Sequence, residues 1–157
     1  MSSGLDARYY KLALYRARQR DLSGAVVFAR RALIINPENE EANKLLGLCL
    51  FELGELSGAA TALRGYAGLA QMVLAQRKLV SRTLPLVREL AGRKKWRRAE
   101  ALLRNMGHQS VRILAIRGCL KAAANKHKAA VSLFTSALEK DRGNLSIQTY
   151  LLSVTGR

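Results

Sequence analysis

One stretch of this chain returns 34 residues later in the same register, and that interval constrains the fold more than any other feature. Leu12 and Leu46 are so related, as are Ala13 and Gly47, Asp21 and Glu55, Leu22 and Leu56, Ser23 and Ser57, Gly24 and Gly58, and Ala25 and Ala59. A period of 34 with small residues at fixed offsets belongs to stacked helical hairpins, where no unit buries its apolar face alone. The second helix of each unit carries the clearer pattern, an alanine followed at i+4 and i+7 by further apolar residues. The sets are Ala25–Ala29–Ala32, Ala59–Leu63–Tyr66, Ala99–Leu103–Met106 and Ala130–Phe134–Ala137. Steps of four and three place each set on one helix face. There the alanine lets the two helices of a hairpin approach closely, and the later residues fill the gap to the next unit.

Capping and breaking residues set the boundaries. The first hairpin pairs Leu5–Gln19 with a helix that ends near Ile35, because Asn36 precedes Pro37 and such a residue resists the helical conformation. Asp21 or Ser23 caps its start. The next helix opens on Glu40 and Glu41, whose charge suits the helix dipole, and runs to Leu53 with Gly54 as a left-handed terminator. Its partner begins near Ser57. The third unit is irregular: Ala59 to Ala99 spans 40 residues and Ala99 to Ala130 spans 31. An insertion therefore lies between Tyr66 and Thr83, and a contraction near Met106–Ser110. Either Gly65 and Gly68 break the preceding helix or it continues through Gln71–Lys78. Pro85 falls either in a first turn, where it is harmless, or inside a helix, where it kinks. The favoured reading is a helix that starts near Arg82–Leu84 and ends at Gly92, with Trp96 opening the next. The fourth pair is Ser110–Ala124 and His127–Lys140, followed by the turn Asp141–Asn144 and a final helix Leu145–Val154 that covers the end of the stack. The expectation is a single all-α domain over 1–157, with repeats at about 6–39, 40–73, 80–110 and 111–144 and a cap at 145–154.

These units resemble tetratricopeptide repeats. That pattern asks for an aromatic, Leu-Gly and a large residue in the first helix, then Ala, Phe or Leu, and Ala in the second, then Pro. The first repeat supplies Tyr9, Leu12–Ala13, Ala25, Ala29, Ala32 and Pro37; the second supplies Leu46–Gly47, Leu50, Gly54, Ala59 and Leu63, with Tyr66 where Ala is usual. The fourth supplies Gly118, Ala130, Phe134 and Ala137, and the third only Ala99 and Leu103. The resemblance covers roughly Asp6 to Asn144 and implies a right-handed superhelix whose first helices line a concave groove. It implies a protein–protein interaction scaffold without enzymatic activity, holding a peptide or helical segment. Carried over by position, the groove holds Tyr10, Leu14, Arg18, Lys44, Leu48, Phe51, Leu84, Arg88 and Arg112, continuing through Ala115 and Cys119. One subfamily clamps the terminal carboxylate of chaperone tails with Lys, Arg and Asn. The matching positions here are Tyr10, Leu14, Leu45, Ser81 and Pro85, which excludes that mode.

Charge supplies the rival reading. The chain carries 27 Lys and Arg against 11 Asp and Glu, a net +16, and the excess is local. Leu56–Leu138 holds sixteen Lys and Arg and two acids, Glu89 and Glu100. Such a half suits an acidic protein, nucleic acid or an anionic membrane face. Its densest run is Arg93, Lys94, Lys95, Trp96, Arg97 and Arg98, and the corresponding turn of the fourth unit carries Lys126, His127 and Lys128. These are the basic turns of the alternative, in which cations meet phosphates while Trp96 stacks on a base. The competing reading is a solvated hairpin turn with Trp96 packed inward.

Nothing in the sequence points to catalysis: it has no phosphate-binding Gly loop, no nucleophile in a recognisable motif and no paired carboxylates backed by His. No Cys/His spacing suits zinc, so no metal or cofactor is expected. Cys49 and Cys119 fall in helical, apolar surroundings, and nothing demands a disulfide between them. His108 and His127 stand apart and are expected in loops or at the surface. The start of the chain lacks the apolar core of a leader. The longest charge-free apolar stretch, Gly65–Gln76, is far shorter than the ~20 residues that span a bilayer, so a cytoplasmic location is expected.

Overall fold

The computed structural model describes residues 4–156, and these form nine α-helices and no strand. They are α1 (Leu5–Arg18), α2 (Leu22–Ile35), α3 (Glu40–Leu53), α4 (Leu56–Ala62), α5 (Ala67–Gly92), α6 (Trp96–Arg104), α7 (Val111–Ala123), α8 (His127–Lys140) and α9 (Leu145–Thr155). No described helix is long and apolar enough to cross a membrane. The chain divides into two compact units, Met1–Leu74 with Lys140–Gly143, and Ala75–Glu139 with Asn144–Arg157.

The repeat is written in the backbone of four turns. Arg20 (φ 60), Gly54 (φ 96), Lys94 (φ 60) and Asn125 (φ 61) each follow a helix in the left-handed conformation. The N–H of the next residue returns to the carbonyl five residues earlier: Asp21 to Arg16 (2.9 Å), Glu55 to Leu50 (2.8 Å), Lys95 to Leu90 (2.8 Å) and Lys126 to Lys121 (2.8 Å). This Schellman closure satisfies carbonyls that the helix end leaves open. The same four residues then accept the first bond of the following helix, from Ala25, Ala59, Ala99 and Ala130 at 3.0–3.1 Å. All four alanines are fully buried.

Glycine is the residue best suited to a left-handed turn, asparagine the next, and a long side chain is strained there by ~1–2 kcal/mol. Arg20→Gly should therefore raise the stability of the first unit by roughly 0.5–1 kcal/mol, the relief being partly offset by the freer unfolded chain. Asn125→Gly should change stability little. Urea denaturation of the two variants checks the contrast.

In unit 1 the core consists of Ala13, Ala25, Val26, Ala29, Leu46, Cys49, Leu50, Phe51, Ala59, Leu63 and Val73. Small residues set the helix spacing. A Cβ at Gly47 would fall on Leu63, just as in unit 2 a Cβ at Gly118 would lie 2.5 Å from Phe134 Cε1. Where the second helix offers Ala29 instead, the first carries Ala13 at that level. Side chains tie the turns: Asp6 Oδ2 accepts from Asn36 Nδ2 and Asn39 Nδ2, both at 3.1 Å, joining the start of α1 to the α2–α3 turn. These bonds, Asn36 foremost, hold the Asp6 carboxyl below its usual range. The tie therefore acts above the ordinary carboxylate pKa of ~3.9 and fades as pH falls through the lowered value.

The segment Lys140–Gly143 packs in unit 1. Its Asp141 is fully buried and receives Ser23 N at 3.2 Å and Ser23 Oγ at 2.7 Å, while Arg142 N donates to the Arg20 carbonyl at 2.9 Å. Asp21 accepts from Gly24 N at 3.0 Å, so the N-terminus of α2 carries two carboxylates.

In unit 2, Val87 of α5 meets Ala99 and Leu103 of α6, with Met106, Ile113 and Leu120 completing the core. The helix expected to begin near Arg82–Leu84 begins at Ala67 and runs unbroken for 26 residues to Gly92. The insertion is thus absorbed as extra turns of α5, and the expected boundary between the repeats 40–73 and 80–110 falls inside it. Pro85, which gives no bond to the Ser81 carbonyl, lies in the interior of α5 rather than its first turn. Burial of Val73, Gln76 and Val87 along one side of α5 outweighs that local penalty. The preceding helix is correspondingly short: α4 ends at Ala62, a tight turn follows with Tyr66 N donating to Leu63 O at 2.9 Å, and Tyr66 stands outside it. Its hydroxyl donates to the Glu40 carbonyl at 2.6 Å.

Candidate functional site

The expected groove residues of unit 1 divide into two kinds. Tyr10, Leu14 and Leu48 are half-buried and lie outside the packed core, and Arg18 and Lys44 are exposed beside them on α1 and α3. Phe51 differs: it is 6% exposed and belongs to the core. As a lining residue it is corrected to a packing residue, because α3 packs against both α2 and α4 and its apolar arc is wide. In unit 2, Leu84 packs on the core through α5, while Arg88 and Arg112 are exposed and Ala115 is half-buried.

The two basic turns meet. A cleft of about 370 Å³ in unit 2 is lined by Lys94, Lys95, Trp96, Arg97, Arg98, Glu100, Leu120, Lys121, Ala124 and Lys126. Six of these are cations and one is an acid. Arg93 and Lys128, expected with the group, are not in the lining; Arg93 pairs with Glu89 at 3.2 Å. Trp96 is half-buried against the core, as the inward-packing reading expects, and its remaining surface faces the cleft.

Lys121 was not foreseen. It comes from α7, one turn before the left-handed Asn125, and no local run in the sequence marks it. It is fixed by the one acid of the cleft. Glu100 is 3% exposed at its side chain and takes Arg117 Nε at 3.0 Å, Arg104 Nη1 at 3.3 Å and Lys121 Nζ at 3.9 Å. Arg117 Nη1 also donates to Gln109 Oε1 at 2.8 Å, and Gln109 Nε2 donates to the carbonyls of Leu103 and Met106 at 2.9 and 2.8 Å. The network holds α6 to α7 and leaves the other five cations of the cleft to face solvent.

Electrostatically the rim opposes its own helix. The α6 N-terminus has no side-chain cap and no acid in its first turn; instead Lys95, Arg97 and Arg98 crowd the positive end of the dipole. At the positions of Lys95 and Lys126 the hairpin turns of unit 1 carry Asp21 and Glu55. A turn that places cations against a bare helix N-terminus is suited to receiving an external anion.

The thiols sit apart from this site, and both are free. Burial, followed by the Glu52 and Asp141 carboxylates, pushes Cys49 up to about 11; burial also raises the Cys119 thiol, but that residue is exposed. A thiol reagent at pH ~8 should therefore modify one group per native chain, at Cys119, and two after unfolding. Mass analysis of the labelled peptides reads out both.

No protein-family model matches the chain, and no curated protein matches it either.

Proposed function

We propose that this protein is a non-catalytic scaffold of tetratricopeptide type, in which successive hairpins wind into a right-handed superhelix, and that it binds an acidic segment of another protein. The single observation behind the reading is the identity of the four hairpin turns, each with a left-handed residue, a five-residue return bond and a buried alanine. Repeats of this kind present a row of like helices, and function lies on the exposed side of that row. Tyr10, Leu14 and Leu48 offer apolar anchors there, and Arg18 and Lys44 offer charge that steers an acidic partner. The strong positive charge of the chain favours the same class of partner.

Leu48→Arg tests it. Leu48 is half-buried outside the core, so the variant should keep its helicity and lose capture of proteins retained by the immobilised wild type. Undiminished capture by a folded Leu48→Arg protein would remove the groove from the account.

A further inference from the structure

This inference rests on the reading that the partner is an acidic polypeptide. The chain already shows how one of its hairpin turns holds a segment that bears one carboxylate. At the α1–α2 turn, the Asp141 carboxylate bonds the N–H and hydroxyl of Ser23, the second residue of α2, while the following N–H, from Arg142, bonds the carbonyl of the left-handed Arg20. Gly143 then lies against Asp21, where a Cβ would come within 3.3 Å of Asp21 Oδ1. The bound element is therefore three residues, Asp-Arg-Gly, read through one carboxylate and one backbone N–H.

The α5–α6 turn has the same backbone. Lys94 stands where Arg20 stands, Lys95 where Asp21, and Arg97 where Ser23, with the buried alanines Ala25 and Ala99 as the common reference. Its helix N-terminus is uncapped, and a cleft of about 370 Å³ opens at it. The charge-changing substitutions between the two turns favour a foreign acid. Asp21, which would repel one, is replaced by Lys95, and Ser23 is replaced by Arg97. Arg98, Lys121 and Lys126 add charge around the rim, and Trp96, Leu120 and Ala124 supply an apolar floor for a side chain next to the acid.

We propose that the unit 2 cleft binds an aspartate-bearing segment of another polypeptide, with the carboxylate on the α6 N-terminus and the next backbone N–H on the Lys94 carbonyl. A carboxylate is the anion that this turn geometry holds at α2, which favours an acidic protein over a nucleic acid. The cleft also has only one aromatic surface, where a single strand is ordinarily held on several.

Trp96 is the sole tryptophan, so its fluorescence reports this cleft alone. The probe is a short synthetic peptide of alternating Asp and Gly, compared with the same peptide carrying Asn for Asp and with an oligo-dT of equal charge. The Asp peptide should change Trp96 emission, the Asn peptide should not, and the oligonucleotide should bind more weakly. The decisive variant is Lys95→Asp with Lys126→Asp. It restores the acids that unit 1 carries at these positions, and an Asp N-cap is favourable to a helix, so its melting temperature should hold or rise. Affinity for the Asp peptide should fall by about tenfold or more, the loss expected for charge-assisted bonds. Lys11→Glu with Arg30→Glu removes the same charge from exposed sites of unit 1 and should leave affinity within about twofold.

A folded Lys95→Asp/Lys126→Asp protein that binds the Asp peptide as wild type does would overturn the proposal. Tighter binding of oligo-dT, displaced by neither peptide, would reassign the cleft to nucleic acid and overturn it equally. Partner capture that responds to Leu48→Arg and not to the cleft variant would sink this inference alone. Capture with the reverse pattern would sink the groove and leave the cleft standing.

Discussion

Glu100→Ala should cost unit 2 about 3–5 kcal/mol, the penalty for removing one partner of a buried ion network. Glu100 is the only acid among Arg104, Arg117 and Lys121 in that network, and Arg117 is itself only 14% exposed at the side chain. Without the carboxylate, Arg117 retains the Gln109 amide oxygen and has no counter-charge in the network. The loss would be read from Trp96 fluorescence during urea denaturation, since Trp96 packs on the core of the same unit. Replacing both partners gives the sharper result. Glu100→Met with Arg117→Leu removes the charges together and should restore most of the stability, because buried pairs are often no better than apolar residues of similar volume. A single variant that loses under ~1 kcal/mol would mean that water reaches Arg117 and that the network is not a clamp.

Phe51→Ala should be the most damaging change in unit 1, at about 3–5 kcal/mol. Phe51 is buried in the core that also holds Leu46, Leu50, Ala59 and Leu63, so its truncation strips a whole ring from close packing and leaves a cavity. Far-UV circular dichroism in urea should show the transition shifted to lower denaturant. Leu48→Arg, three residues earlier on α3, should move it by less than ~1 kcal/mol. The pair separates binding from folding: only the Leu48 variant tests the groove, because partner capture lost with Phe51→Ala would report unfolding. Equal stability of the two variants would return Phe51 to the surface.

The elements that were legible in the sequence are those whose cause is local. Gly54 adopts the left-handed turn, Asn36–Pro37 ends α2, Asp21 and Asn39 cap, and the alanine series falls on buried faces, because each depends on a few adjacent residues. Two expectations failed where distant contacts decide. Pro85 weakens α5 locally, but packing along Val73, Gln76 and Val87 carries the helix through it. Phe51 has the spacing of a groove residue, yet α3 packs on two neighbouring helices and spends that position on the core. The candidate site was half legible. The basic runs were visible as sequence, whereas their convergence with Lys121 and the reversal from Asp21 and Glu55 to Lys95 and Lys126 needed the turns to be superposed.

Because the Schellman bonds run from main chain to main chain, these corners hold their form whichever side chains sit on them. Arg, Gly, Lys and Asn all occupy the same left-handed site. Each corner can thus have its side chains rewritten one residue at a time without refolding the helices beside it.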